Sequence, residues 1–231
     1  MREICLDIET TGLNPKDGHR IIEIAAIEMV GKIKTGKFFH KFINPRRDVP
    51  DEAFAIHGIS TEFLKDKPLF DHIVDEFLQF IDGGKLVIHN AAFDTKFINF
   101  ELQLLGMPTL RNEVADSLLI ARNKFPGSPA SLDALCKRFN IDLSKRTKHG
   151  ALLDTELLCD VYVELMGGLQ VGFGFDAQKS EKKSVFSAAS QTIEQVRRAL
   201  PKREFPVSDE ELQLHKEFIL KNFKSNLWDY S

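Results

Sequence analysis

The stretch ICLDIETTGL, Ile4 to Leu13, limits the fold more than any other part of the chain. Ile4, Leu6 and Ile8 alternate as in a strand bound for a core, and Asp7 and Glu9 fall together on its other face. Burying an ionised carboxylate without a partner is costly enough that the group usually takes up a proton instead. The pair therefore either sits at a wet strand end or has positive charge beside it. Two residues along a strand span about 6.5 Å, a spacing at which two carboxylates can share hard cations.

The remaining pattern predicts an α/β layer fold with a mixed sheet flanked by helices. Three leading antiparallel strands come first: Arg2–Ile8, then RIIEIAAIEMV and GKFFHKFIN as a meander, and β/α units follow. A helix from about Pro68 to Ile81 places Phe70, Ile73, Val74, Phe77, Leu78 and Ile81 on one face. GGKLVIHN reads as a buried strand, AAFDTKFINFELQLLG as a helix stopping at Gly106, and a short strand is expected near Val114. Helices are then predicted through SLLIARNKF, through SLDALCKRFN with Ser131 as its cap, and through GALLDTELLCDVYVELMGG up to its closing glycines.

Beyond Met166 the chain turns rich in Gly, Ser and Lys, the composition of a flexible linker. Helices are predicted in SQTIEQVRRAL and in SDEELQLHKEFILKNF, the latter opened by a capping box from Ser208 to Glu211. Their apolar content is too small for a core of their own, so they are expected to order against another protein. The expected organisation is a catalytic domain over residues 1–168, a linker over 169–190 and a helical C-terminal tail over 191–231.

Composition narrows the function. No apolar run is long enough to span a bilayer, so no membrane association is expected. Three scattered cysteines with no C-x-x-C pair suit neither a zinc site nor a disulfide framework, and point to a reducing cytoplasm. A net charge of −3 argues against gripping nucleic acid by bulk electrostatics, so any such chemistry needs local contacts, metal ions or a partner that delivers the substrate.

Three further residues complete a candidate site: Asp94, just after the LVIHN strand, and His149 with Asp154 in HGALLDT. Singly, each has an ordinary reading. Asp7 and Glu9 can cap a solvated strand end, Asp94 can answer a helix dipole, and a histidine before a helix is commonly a surface residue. Jointly they are harder to dismiss, because four carboxylates converging on one end of a sheet repel unless divalent cations are present. Two Mg²⁺ or Mn²⁺ ions held by Asp7, Glu9, Asp94 and Asp154 would make a phosphodiester-cleaving site, with His149 as general base toward the attacking water.

DIETTGL, HNAAFD and HGALLDT, in that order, resemble the three exonuclease motifs of the DEDD superfamily, in the subgroup with His in H-x-x-x-x-D. The resemblance implies an RNase H-like fold and metal-dependent 3′→5′ exonuclease activity, with catalytic residues Asp7, Glu9, Asp94, His149 and Asp154. DEAFAIHGIS, SLDALC and the tail with Trp228 are in addition similar to the proofreading subunits of bacterial replicative DNA polymerases. That likeness implies a single-stranded or frayed DNA 3′ end as substrate, bound by Asp7, Glu9, Asp154, Thr10, Thr11 and Leu13, with Leu13 wedged against the last base. It implies contacts from Glu52 and His57 to the terminal nucleotide; Phe93 and His89 can pack near the site, but read equally well as a core Phe and a strand-end His. QVGFGF resembles a sliding-clamp-binding peptide presenting Gln170, Phe173 and Phe175. The tail, with Trp228, would tether the nuclease to the alpha (polymerase) subunit, and a small theta-type subunit is a further expected partner. Two other readings stay open: an RNA 3′-end-trimming exonuclease, whose catalytic site would look the same, and a non-catalytic subunit that stabilises the polymerase.

Overall fold

The computed structural model describes residues 1–144, 146, 148–168 and 208–222. The linker, Gln170, Phe173, Phe175, the helix expected in SQTIEQVRRAL and Trp228 lie outside the described residues. The chain divides into two units, Met1–Phe175 and Asp176–Ser231.

In the first unit the strand carrying the acidic pair, β1 (Arg2–Thr10), is the central member of a five-stranded sheet. Its neighbours are β2 (Ile21–Val30), followed by β3 (Ile33–Phe42), on one side, and β4 (Lys85–Ile88), followed by β5 (Val114–Asp116), on the other. β1, β2 and β3 run antiparallel, whereas β4 and β5 join parallel to β1, so the sheet is mixed as expected. β1 extends two residues past its expected end at Ile8. Glu9 thus belongs to the ladder opposite Glu23, and Asp7 lies opposite Ala25, so neither acid sits on a frayed end.

Helices cover both faces, which makes β1 the most constrained strand. Ile4, Leu6 and Ile8 point into a core built with Phe39, Ile24, Leu86 and Ile88 from the sheet. Two helices close it, α3 (Phe70–Ile81) through Phe70, Ile73, Val74 and Phe77, and α4 (Ala91–Leu104) through Phe97 and Ile98. On the opposite face Cys5 packs with Met29, Val87, Leu158, Cys159 and Tyr162, the last three from α7 (Ala151–Leu165). Asp7 and Glu9 share this α7 face with Cys5. The smaller helices α5 (Ser117–Lys124) and α6 (Leu132–Phe139) pack against the outside of α7 through Ala121, Leu135, Leu157 and Val161.

Termini follow the local chemistry. Ser131 caps α6 by accepting from the Ala134 N–H at 3.3 Å, as its sequence predicts. The segment before Pro68, to which no element was assigned from sequence, forms α1 (Asp51–His57) and α2 (Thr61–Leu64), the second capped by Ser60. α1 escapes a periodicity reading because it buries only Ala53 and His57. No helix among the described residues is long and apolar enough to cross a membrane.

The second unit contributes α8 (Asp209–Asn222). It opens with the expected box: Ser208 N–H donates to Glu211 Oε2 at 3.1 Å, and Glu211 N–H returns a bond to Ser208 Oγ at 3.3 Å.

Phe77 is fully buried, with its ring 5.5 Å from that of Phe39, and so ties α3 to β3. Phe77→Ala is expected to cost about 3–5 kcal/mol of unfolding free energy, to be read from chemical denaturation against the unsubstituted chain.

Candidate active site

At the end of β1 the strand leaves the sheet through a bulge between Glu9 and Thr10. The parallel strand β4 ends beside it and feeds α4 through Asn90, which adopts a left-handed backbone. That sharp turn brings Asp94, on the first turn of α4, back toward β1. From the other face α7 delivers Asp154 on its first turn. Asp7, Glu9, Asp94, Asp154 and His149 thereby line a single cleft of about 370 Å³. All five residues predicted to form the catalytic group are brought together.

The electrostatics of this cleft are unfavourable for the protein alone. Burial, reinforced by Asp94, Glu9, Asp154 and Glu23, pushes the Asp7 carboxyl well above the usual carboxylate range. Burial does the same to Asp94, even though the backbone N–H groups of Asp94 and Ile8 favour its charged form. Asp94 is only 3% exposed, and its Oδ1 has no hydrogen-bond partner. Burial first, and then Asp154, Glu23 and Asp94, raise Glu9 to about 8, with Arg146 pulling the other way.

These observations fit a cation site. Crowded carboxylates, an orphaned buried oxygen on Asp94, and ligand atoms of Glu9, His149 and Asp154 all within 4.8 Å of one another are the donor set of a hard divalent ion.

Two residues that sequence reasoning missed shape the cleft. Glu23, 3% exposed, accepts from the Ala151 N–H at 3.0 Å and meets His40 Nε2 at 2.7 Å. It therefore ties β2 to the first residue of α7, one turn before Asp154. Its only signal was an acid inside the apolar run IIEIAAI. Arg146 forks onto Asp154, with Nε 2.6 Å from Oδ1 and Nη2 2.7 Å from Oδ2, and also reaches Asp133. A basic, polar connection between α6 and α7 gave no sign of this.

A second cavity of about 630 Å³ adjoins the cleft, with Glu9 and Phe93 in the walls of both. Thr10, Thr11, Leu13, Glu52 and His57 all line it. Its floor is set by tight local packing: Thr11 Oγ1 lies 3.2 Å from His19 Nδ1, and a Cβ on Gly12 would come within 2.3 Å of that ring. Leu13 stands 82% exposed at the rim, and Glu52 is exposed on the first turn of α1. His57 is buried, and burial lowers its pKa. Its Nδ1 accepts from the Ile59 N–H at 3.0 Å, leaving Nε2 buried without a hydrogen-bond partner, although the Thr10 carbonyl is near enough to favour the charged ring. Phe93 and His89 both line the cleft; the Phe93 ring is also tilted against Phe97 at 5.0 Å, and His89 Nδ1 lies 2.9 Å from Ser117 Oγ.

A mixed sheet with an acidic cleft where its parallel strands end, and a histidine ahead of the fourth acid, is the architecture of a DEDDh exonuclease. The Exonuclease (RNase_T) family model matches residues 4–162. Among solved structures, the nuclease domain of the DEDDh family member 3′hExo bound to rAMP aligns with TM-score 0.61 at 17% identity over 71% of this chain and 91% of that one. Exonuclease X in complex with 5′-overhanging duplex DNA aligns with TM-score 0.56 at 24% identity over 71% and 90%. Sequence relatives are closer and reach through the tail. DNA polymerase III subunit epsilon of Rickettsia conorii is 52% identical over 97% of this chain and 98% of its own length, and that of Escherichia coli K12 is 45% identical over 98% and 97%. The chain belongs to the exonuclease family and, within it, to the DNA polymerase III epsilon subunits.

In the metal-free chain Glu9 ionises near 4.5 when unfolded and near 8 when folded. The folded state therefore holds that proton more tightly, and the stability it contributes is full below about 4.5 and lost as pH rises toward about 8. In chelator, the thermal midpoint should fall across this window, and Glu9→Gln should flatten the fall. A midpoint that climbs with pH there would contradict the assignment.

Proposed function

We propose that the chain is the proofreading 3′→5′ exonuclease subunit of a DNA polymerase III, hydrolysing the 3′-terminal phosphodiester of frayed or single-stranded DNA and releasing a deoxynucleoside 5′-monophosphate. The observation that carries this reading is the acidic cleft opening directly into a nucleotide-sized cavity, in a chain with full-length epsilon relatives. Asp7, Glu9, Asp94 and Asp154 hold two divalent cations, Mg²⁺ or Mn²⁺. Such ions lower the pKa of a bound water and offset charge developing on the phosphate.

The chain's own groups do the rest. Thr10, Thr11 and His57 hold the terminal nucleoside in the larger cavity, Glu52 approaches it from α1, and exposed Leu13 wedges beneath the last base. Phe93, shared by both cavities, keeps the sugar next to the acids. His149, half exposed at the cleft, accepts the proton of the attacking water on a ring nitrogen. A mispaired end unpairs more cheaply than a matched one, which supplies discrimination without base-specific contacts.

With a net charge of −3 the nuclease relies on its partners to keep it at the primer end. The C-terminal segment, including Trp228, binds the alpha subunit, and Gln170, Phe173 and Phe175 engage the sliding clamp. A small theta-type subunit is a further partner, and the work takes place in the cytoplasm at the replisome. Exposed Leu212, Leu214 and Leu220 on α8 support a docking role for the tail.

Replacing both Asp7 and Glu9 by Ala should lower kcat on a single-stranded oligodeoxynucleotide by roughly three orders of magnitude or more, while gel filtration with the alpha subunit still shows complex. Retained nuclease activity in that variant would remove the site assignment. Deleting residues 176–231 should leave oligonucleotide hydrolysis intact and abolish alpha binding. A truncated chain that still binds alpha would contradict the tail as tether, and an intact chain that prefers RNA ends to DNA ends would favour the RNA-trimming reading.

A further inference from the structure

Arg146 is the one cation among the described residues seated directly on the acidic cleft's ligands. Its side chain is only 8% exposed, and its planar fork covers both oxygens of Asp154. The same Nη2 lies 2.8 Å from His149 Nδ1, and Nη1 donates to Asp133, which is half exposed. The guanidinium thus takes the place on Asp154 that a divalent ion requires.

The bond to His149 has its own consequence. His149 Nδ1 also lies 3.1 Å from Asp154 Oδ2, so that ring nitrogen sits between the guanidinium and the carboxylate. The ring is therefore held where Arg146 and Asp154 place it. In this arrangement one acid and the histidine are held by the same residue.

We infer that Arg146 is a built-in counterion that holds Asp154 and His149 until divalent cations load, so that metal binding and the freeing of the general base are one coupled event. The inference rests on the reading of the four carboxylates as cation ligands. Arg146 neutralises part of the cleft's charge in the metal-free chain, which spares the fold an unpaired buried carboxylate at Asp154. When ions enter, the guanidinium gives up Asp154 and His149 and keeps Asp133, whose carboxylate lies toward solvent and serves as its resting partner. Metal affinity is accordingly reduced by the fraction of molecules in the Arg146-closed state. The residue acts by positioning and does not touch the reacting atoms.

The test is Mn²⁺ binding to the full chain, followed by electron paramagnetic resonance of free Mn²⁺, for the unsubstituted protein, Arg146→Met and Arg146→Lys. Arg146→Met should bind Mn²⁺ tighter by on the order of tenfold, and Arg146→Lys, which keeps the charge without the fork, should fall between. In chelator Arg146→Met should melt below the unsubstituted chain, and Mn²⁺ should raise its melting temperature by more. With Mg²⁺ as the ion, the His149 Nδ1 resonance should shift on loading in the unsubstituted chain and already sit near the loaded position in Arg146→Met. Equal or weaker Mn²⁺ affinity in both variants would overturn the inference while leaving the cation site standing. Mn²⁺ bound by none of the three chains would sink the cation site, and the inference with it.

Discussion

Negative charge forced together inside a fold is the constraint to which the rest of this molecule answers. Asp7, Glu9, Asp94 and Asp154 come from a strand and two helices, and each is partly or fully withdrawn from water. Bringing them into one cleft works against folding, as the raised pKa values of Asp7, Glu9 and Asp94 record. Such an arrangement persists only if the surrounding structure over-determines it. A covered central strand, a tight turn into α4 and an anchored α7 do so here.

That anchoring divides between two kinds of contact. Apolar packing sets the layers: Phe77, Phe97 and Leu86 fix one face, while Cys159, Tyr162 and Leu158 fix the other. Polar contacts set the register of the site within those layers. Glu23 ties α7 to β2 through the Ala151 N–H, and buried Thr155, whose hydroxyl donates to the Ala151 carbonyl at 2.7 Å, packs its Oγ1 3.4 Å from the Ala25 carbonyl on the same strand. Ala25 stands opposite Asp7, and its small side chain leaves α7 room to approach. The cleft then opens toward the larger cavity because the bulge after Glu9 turns the chain into the Thr10–Leu13 wall.

Much of this was legible in the sequence, for a physical reason. Asp7, Glu9 and Asp154 interrupt strongly apolar segments, and a charge in such a setting demands an explanation. Asp94 and His149 gained meaning only from their company, and His57 and Glu52 only from resemblance, since α1 has too little apolar pattern to announce itself. Glu23 stayed hidden because β2 carries a second acid, Glu28, which answers a different need by pairing with Arg2 at 2.6 Å. From the sequence nothing separates the two. Arg146 was invisible for the opposite reason: a run of Lys and Arg between helices reads as a solvated loop, and only three-dimensional geometry shows a guanidinium turned inward.

The central claim is that these acids exist to hold divalent ions. Anomalous scattering from a crystal of the full chain grown with saturating Mn²⁺ tests it most directly. The account predicts two peaks in the cleft, ligated by Asp7, Glu9, Asp94 and Asp154, with the Arg146 guanidinium off Asp154. A cleft without anomalous density under those conditions would contradict it.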